Sequence, residues 1–150
     1  MPAFITFGRI LFSVMFIYLG ATKLYGFKAT AEAINTKVGV PAMITPYTSQ
    51  LETWTGLPSL QMLALAIGFF ELFAGLMILL NFGARFFSII LIFFVATATF
   101  YFYDFWNQPM PGDGKMLVDA LKNLSIIGAL FMIAGYGRDS RPAETTYGDV

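Results

Sequence analysis

Long runs of apolar residues alternate with short polar segments along the chain, and four of these runs are long enough to cross a membrane. They cover about residues 4–25, 60–80, 86–105 and 116–136. A spanning helix needs about 20 largely apolar residues. Lipid accommodates backbone only in helices or closed barrels, and these runs lack the alternation of a barrel strand. The pattern therefore predicts four transmembrane helices.

The connecting segments predict how the four helices are arranged. Residues 81–85 (NFGAR) and 107–115 (NQPMPGDGK) are short and rich in turn residues, which predicts an antiparallel bundle. Residues 26–59 are longer, and FKATAEAINTKV within them has helical propensity before GVP interrupts it, so we expect a short interfacial helix there. The predicted fold class is all-α, an integral membrane four-helix bundle. It forms a single domain over residues 1–137, followed by a polar C-terminal tail over 138–150.

Composition supports a membrane environment. The chain of 150 residues is 57% hydrophobic and only 12% charged, whereas soluble domains are about a quarter charged. Its formal net charge is zero, so no basic field suggests a nucleic-acid partner, and the expected surroundings are a lipid bilayer. Cysteine and histidine are both absent. We therefore expect no metal and no covalent cofactor, and redox chemistry would need a bound organic cofactor or a partner subunit.

Glu71 is the one acidic residue inside the second apolar run, about ten residues from either end. A charge near the bilayer midplane costs a few kcal/mol or more, so this carboxylate must be protonated, paired or in contact with a wet cavity. At helical spacing from Glu71 lie three small residues, Ala64, Gly68 and Gly75. Because small residues let helices approach closely, we expect Glu71 to point into the bundle.

Two other helices carry stripes of residues that could meet Glu71. The stripe on the first helix consists of Arg9, Ser13, Phe16, Gly20 and Lys23. The stripe on the fourth helix consists of Lys122, Ser125, Gly128 and Met132. Arg9 and Lys122 each enter the bundle by about five residues from opposite ends, so we expect one of them to pair with Glu71.

Arg9, Lys23, Glu71 and Lys122 thus form a predicted charge cluster inside the bundle, and three interpretations of it remain open. It is a structural ion pair that fixes helix register, or Glu71 carries protons or contacts a ligand, or Glu71 is a neutral acid hydrogen-bonded between helices. Under the second interpretation Glu71 is the candidate catalytic residue.

A second cluster of interest is TATFYFYDFWN at the end of the third helix. Its aromatic rings could line a site for a quinone or a lipid headgroup, with Tyr101, Tyr103, Asp104 and Trp106 as contacts. The alternative is an aromatic belt at the membrane interface, with Asp104 in water. Asn123 in the fourth helix adds a hydrogen-bonding side chain to the candidate contacts.

The positions of the arginines favour one orientation. Both termini and the NFGAR hairpin share one side, which carries Arg9, Arg85, Arg138 and Arg141. The opposite side carries Lys23, Lys28, Lys37, Lys115 and Lys122. Since short basic segments are the informative ones, we expect both termini in the cytoplasm.

The chain resembles the DoxX family of small four-helix membrane proteins. The resemblance rests on GRILFSVMFIYLGATKL, VGVP, ELFAGLMILLNFGAR, YDFWN and LKNLSIIGALFMIAGYGRDS, which occur in this order along nearly the whole chain. The family often has histidine where this chain has Tyr103, so a role of that histidine would be lost here. The family is similar to the membrane subunit of archaeal thiosulfate:quinone oxidoreductase. The resemblance implies a bacterial or archaeal cytoplasmic membrane and a connection to quinone.

Three functions follow from these observations. The first is an accessory or anchoring subunit of a membrane redox or respiratory complex, with other subunits of that complex as partners, and it is the one we favour. The second is an oxidoreductase subunit that itself holds a quinone near the aromatic cluster. The third is a small transporter or proton path around Glu71. The second and third are weakened because relays usually need more than one ionisable station.

Overall fold

The computed structural model describes residues 2–37, 45–103 and 114–136, and it describes side chains throughout these ranges except at residues 2 and 45–47. The described ranges contain six helices: α1 Pro2–Tyr25, α2 Phe27–Lys37, α3 Thr45–Thr55, α4 Ser59–Leu79, α5 Ala84–Phe102 and α6 Lys115–Tyr136. Four of them, α1, α4, α5 and α6, are long and apolar enough to cross a membrane. The predicted all-α class and the four predicted spans are therefore confirmed. Helix α5 ends at Phe102, three residues before the predicted end of the third span.

The described parts of the long segment between the first two spans, residues 26–37 and 45–58, contain two helices. Helix α2 occupies the position of the predicted short helix, and Ala31 and Ile34 on it are buried against Ala64 of α4. Helix α2 thus packs along the bundle by one face, and its location at the membrane interface stays a prediction. Helix α3 was not predicted, because its sequence TPYTSQLETWT is polar on most sides.

The turn between α4 and α5 follows from its sequence. Asn81 has φ 58° and Gly83 has φ 60°, both in the left-handed region. The N–H of Phe82 donates to the carbonyl of Met77 at 2.9 Å, and the N–H of Asn81 donates to that of Ile78 at 3.1 Å. This pair of bonds is a Schellman motif, which ends a helix with a left-handed residue such as asparagine or glycine. The motif reverses the chain within a few residues and places α5 antiparallel to α4.

The core is built from the inner faces of all four long helices. Its fully buried side chains are Phe16, Ala74, Ile78, Leu91, Val95 and Leu130. Helix α4 contacts α1 most extensively, and α6 packs mainly against α5. Large apolar side chains such as Phe69 and Phe93 are more than half exposed on the outer surface, as expected for helices that face lipid. The bundle therefore has a packed centre and an apolar exterior.

Candidate functional site

Glu71 forms an ion pair with Lys23 inside the bundle. The Nζ atom of Lys23 lies 2.6 Å from Oε1 and 2.5 Å from Oε2 of the carboxylate. Glu71 is only 3% exposed, whereas the Lys23 side chain is 30% exposed. The carboxylate is thus held deep in the protein by a lysine that still reaches open space.

Glycines set the register that brings these two residues together. A Cβ atom added to Gly20 would lie 2.4 Å from the backbone nitrogen of Leu72, and one added to Gly68 would lie 3.1 Å from that of Leu24. The backbones of α1 and α4 therefore touch, as small residues allow between membrane helices. In this register Glu71 is level with the turn of α1 between Gly20 and Leu24, where Lys23 is the available cation.

The partners expected for Glu71, Arg9 or Lys122, are not the ones found. Arg9 precedes Lys23 by 14 residues on the same helix (23 − 9), which is about 21 Å along the helix axis. Lys122 instead pairs with Asp119 at 3.0 Å on its own helix, and its side chain is 68% exposed. The expectation failed because it assumed comparable depths for all helices, whereas the glycine contacts shift α1 relative to α4.

The polar stripe on the fourth helix was expected to face the bundle interior, but it faces outward. Its residues, Lys122, Ser125, Gly128 and Met132, are all exposed. The inward face of α6 instead carries Ala120 and Leu130, which are buried, and the half-buried Asn123. Burial of Leu130 and its apolar neighbours outweighs the small-residue stripe, because α6 packs against the bulky side chains of α5 rather than against glycines.

Lys23 and Glu71 form part of the wall of a cavity of about 720 Å³. The first two helices contribute Met15, Phe16, Leu19, Lys23, Ala29, Thr30, Ala33 and Ile34. Helices α4, α5 and α6, together with Tyr103 just after α5, contribute Leu63, Ile67, Glu71, Phe94, Val95, Thr97, Ala98, Tyr101, Phe102, Tyr103, Asn123 and Ile126. Most of this surface is apolar, and the volume lies within the range typical of small-molecule sites.

The cavity brings the two predicted clusters together. Tyr101, Tyr103 and Asn123, candidates from the aromatic cluster and its neighbour, line the same space as Lys23 and Glu71. Asp104 and Trp106, the other two candidates, lie outside the described residues. Sequence reasoning treated the charged and aromatic clusters as separate because they lie on different helices, and only the packing of α5 beside α4 joins them.

Asn123 is held in place by a residue that the sequence analysis missed. Its Nδ2 donates to Oγ1 of Thr99 at 2.9 Å, and that hydroxyl donates to the carbonyl of Val95 at 2.6 Å. The side-chain carbonyl of Asn123 then remains as an acceptor, since no donor among the described residues reaches it. The usable signal in the sequence was Thr99 itself, a hydroxyl residue near the end of an apolar span.

The cavity therefore offers both hydrogen-bond donors and hydrogen-bond acceptors within apolar walls. Lys23 has three ammonium protons, of which two are directed at Glu71. Tyr101 and Tyr103 carry hydroxyls that can donate or accept. A ligand that fits must be largely apolar and carry a few oxygen atoms that accept or donate hydrogen bonds.

Four helices long and apolar enough to cross a membrane define a small multi-pass α-helical membrane protein. The chain matches the model of the DoxX family over residues 4–104, which is more than half of its length, and it belongs to that family. The match includes α1 to α5 but not α6, whose Asn123 and Ile126 line the cavity. No curated protein and no solved structure gives a significant match to the chain.

Proposed function

We propose that this protein is an accessory membrane subunit of a redox complex and that its cavity binds a quinone or quinol. The observation that carries the proposal is the cavity of about 720 Å³, which combines apolar walls with the Lys23–Glu71 pair and Asn123. A quinone head group is an apolar ring with oxygen atoms at opposite edges, so its chemistry matches that of the walls. The ligand would enter from the bilayer in which it dissolves.

In this proposal Lys23 acts as a hydrogen-bond donor to the ligand and Asn123 as an acceptor. Lys23 donates to a quinone carbonyl through the ammonium proton that Glu71 does not use, and the contact with the carboxylate fixes the position of the ammonium group in the cavity wall. The carbonyl of Asn123 accepts a hydrogen bond from a quinol hydroxyl. The site thereby accommodates both oxidation states of the ligand by contacts with different residues.

A partner protein completes the proposed function, since the chain has neither cysteine nor histidine to bind iron–sulfur clusters or haem. Electrons exchanged with the quinone would come from or go to a redox enzyme that carries such a group or a flavin. The protein would hold the quinone and anchor that enzyme at the membrane.

Photolabelling tests the proposal directly. A short-chain photoreactive quinone is irradiated in membranes that contain the tagged protein, and the labelled peptides are identified. We expect labels at the end of α5 and the start of α6, near Tyr101 and Asn123, which excess unlabelled quinone suppresses. Labels confined to outward residues such as Phe93 and Leu121, with no suppression, would contradict a specific site.

The partner is tested by extraction in mild detergent followed by identification of the proteins that co-purify. We expect a redox enzyme with a flavin, haem or iron–sulfur group. A protein that elutes alone and without quinone would refute both parts of the proposal.

A further inference from the structure

A second cavity, of about 390 Å³, lies toward the other end of α1 from Lys23. It is formed between α1 and α6, beside the turn that joins α4 to α5. Phe12 and Ile133 provide apolar wall, and Arg9, Asn81 and Tyr136 provide the polar atoms. The quinone proposal makes no use of this cavity.

Arg9 in this cavity has no counter-ion among the described residues. Its Nε atom is buried, no hydrogen-bond partner from the described part of the chain reaches it, and no ion pair joins its guanidinium to a described residue. The described residues that line the cavity include no acidic side chain. A buried polar atom without a partner needs an explanation, and for an arginine facing a cavity the simplest explanation is an anionic ligand.

The level of the cavity along the spanning helices indicates what kind of anion it would bind. Asn81 belongs to the turn that connects two spanning helices, and Tyr136 is the last residue of α6. The cavity therefore lies where the spans end, which is the level of the lipid headgroups. Phe12 lies one turn deeper on α1 than Arg9, so the groove continues from the charged group toward the hydrocarbon region.

We propose that this groove binds an anionic phospholipid. Arg9 donates hydrogen bonds to the phosphate, and the start of an acyl chain lies between α1 and α6 against Phe12 and Ile133. Arginine suits phosphate because its planar fork makes two parallel hydrogen bonds. Basic pockets between transmembrane helices are known as binding places for anionic headgroups.

A carboxylate of the chain itself is the main competitor, since Asp139 follows Tyr136 by three residues (139 − 136). Two observations favour the lipid. Arg138 and Arg141 stand within two residues of Asp139 in the sequence, so Arg9 is not the basic residue nearest to it along the chain. A carboxylate would also leave the apolar walls of the groove without a partner, whereas an acyl chain covers them.

The test measures lipid retention. The full-length protein is reconstituted in vesicles of equal parts phosphatidylglycerol and phosphatidylcholine, purified again in mild detergent, and its retained lipids are quantified by mass spectrometry. We expect enrichment of phosphatidylglycerol, which Arg9→Gln reduces by about tenfold, the loss expected for one charge-assisted contact. The control is Arg85→Gln, because Arg85 is exposed at the start of α5 on the same side of the bundle, and it should retain the enrichment.

A second variant keeps the test valid if Arg9→Gln does not fold. Gly8 lines the groove, and a Cβ atom added to it meets nothing within 4 Å, so Gly8→Leu adds side-chain volume to the groove from a position with free space. We expect this variant to fold normally and to lose the enrichment. Retained enrichment in folded Arg9→Gln and Gly8→Leu, or equal loss in Arg9→Gln and Arg85→Gln, would overturn the proposal.

Two further arms distinguish the competing anions. If inorganic phosphate raises the melting temperature of lipid-free protein as much as phosphatidylglycerol does, and Arg9→Gln abolishes both effects, the site binds a free anion and the lipid proposal is wrong. If Asp139→Asn lowers the melting temperature as much as Arg9→Gln does while lipid retention is unchanged, Asp139 is the partner and the proposal is likewise wrong.

Discussion

At the scale of single residues, the central feature is a carboxylate that persists in an apolar helix because a lysine from another helix meets it. Lys23 contacts both oxygens of Glu71, and its remaining exposure is toward the cavity. The same pair can therefore stabilise the bundle and present a cation to a ligand.

Removal of either member of this pair should destabilise the protein, and removal of the lysine should do so more strongly. Lys23→Leu leaves the buried carboxylate of Glu71 without a partner, which costs about 3–5 kcal/mol. Glu71→Leu leaves the ammonium group of Lys23, whose side chain is 30% exposed, and should cost less. We expect the double variant to recover much of that loss, because it replaces both charges by apolar groups. Unfolding in mixed detergent, followed by circular dichroism, measures these differences.

Lys122→Leu is the control for this comparison, since its exposed pair with Asp119 should contribute less than about 1 kcal/mol. The double variant should also be stable but fail to retain quinone. If Glu71→Leu alone is as stable as the parent, the ion pair does not hold the bundle together.

The sequence predicted that Glu71 points into the bundle, but it did not predict the partner. Its small neighbours, Gly68 and Gly75, are buried as expected, because their spacing is a property of one helix. The choice among Arg9, Lys23 and Lys122 depends on the axial shift between two helices. That shift arises from the backbone contact of Gly20 with Leu72, and a hydropathy pattern contains no measure of it.

At the scale of helices, the contact of α1 with α4 determines the position of the site. Gly20→Ala should destabilise the protein by about 1–3 kcal/mol, because its new Cβ atom would lie 2.4 Å from backbone that cannot move aside. The matched control is Gly128→Ala, where a Cβ atom meets nothing within 4 Å. That variant should leave stability unchanged or raise it by up to about 1 kcal/mol.

Thermal unfolding of both glycine variants in the same detergent measures this difference in stability. Equal melting temperatures for the two would show that the helices do not touch at Gly20. Because the same contact positions Lys23 opposite Glu71, Gly20→Ala should also weaken quinone retention.

The corner between α3 and α4 gives a prediction about pH. A carboxylate oxygen of Glu52 accepts a hydrogen bond from the backbone N–H of Ser59 at 2.7 Å, and this bond lowers the pKa of Glu52 below its ordinary value. A lowered pKa contributes stability above the unfolded pKa, and that contribution is lost as the pH falls through the folded pKa. We therefore expect Glu52→Gln to lower the melting temperature near neutral pH, by an amount that shrinks as the pH falls through the lowered pKa of Glu52.

The control for this experiment is Glu32→Gln, because Glu32 is an exposed residue of α2. It should not change the pH dependence. A constant difference between Glu52→Gln and the parent across the whole pH range would show that the charge of Glu52 does not stabilise the start of α4.

Helix prediction succeeded for the long apolar runs and failed for a polar segment whose helix depends on tertiary contacts. The four spans agree with the sequence within a few residues, since burial in lipid demands a run of fixed length. Helix α3 was missed because its stability depends on contacts with α4, such as the bond between Glu52 and Ser59. The start of α5 and the end of α4 are marked by Asn81 and Gly83, whose turn was readable in the sequence.

At the scale of the whole molecule, the protein is a small multi-pass membrane protein of the DoxX family, and its orientation remains a proposal. We place both termini and the turn with Arg85 in the cytoplasm, by the positive-inside rule. Because the chain contains no cysteine, single-cysteine variants report accessibility without background. We expect a membrane-impermeant maleimide to label Thr48→Cys in intact cells and Thr146→Cys only after permeabilisation, and the reverse pattern would invert the orientation.

The central claim is that the cavity beside Lys23 and Glu71 holds a quinone, and a pair of variants on one helix tests it most directly. Ala98 lines the cavity, whereas Ala96 is exposed on the outer face of α5. The same change to leucine therefore fills the cavity at one position and only adds lipid contact at the other. The measurement is the quinone content of each protein after extraction in mild detergent. We expect the parent and Ala96→Leu to carry quinone and Ala98→Leu to carry about tenfold less, whereas equal quinone in both variants, or none in the parent, would contradict the claim.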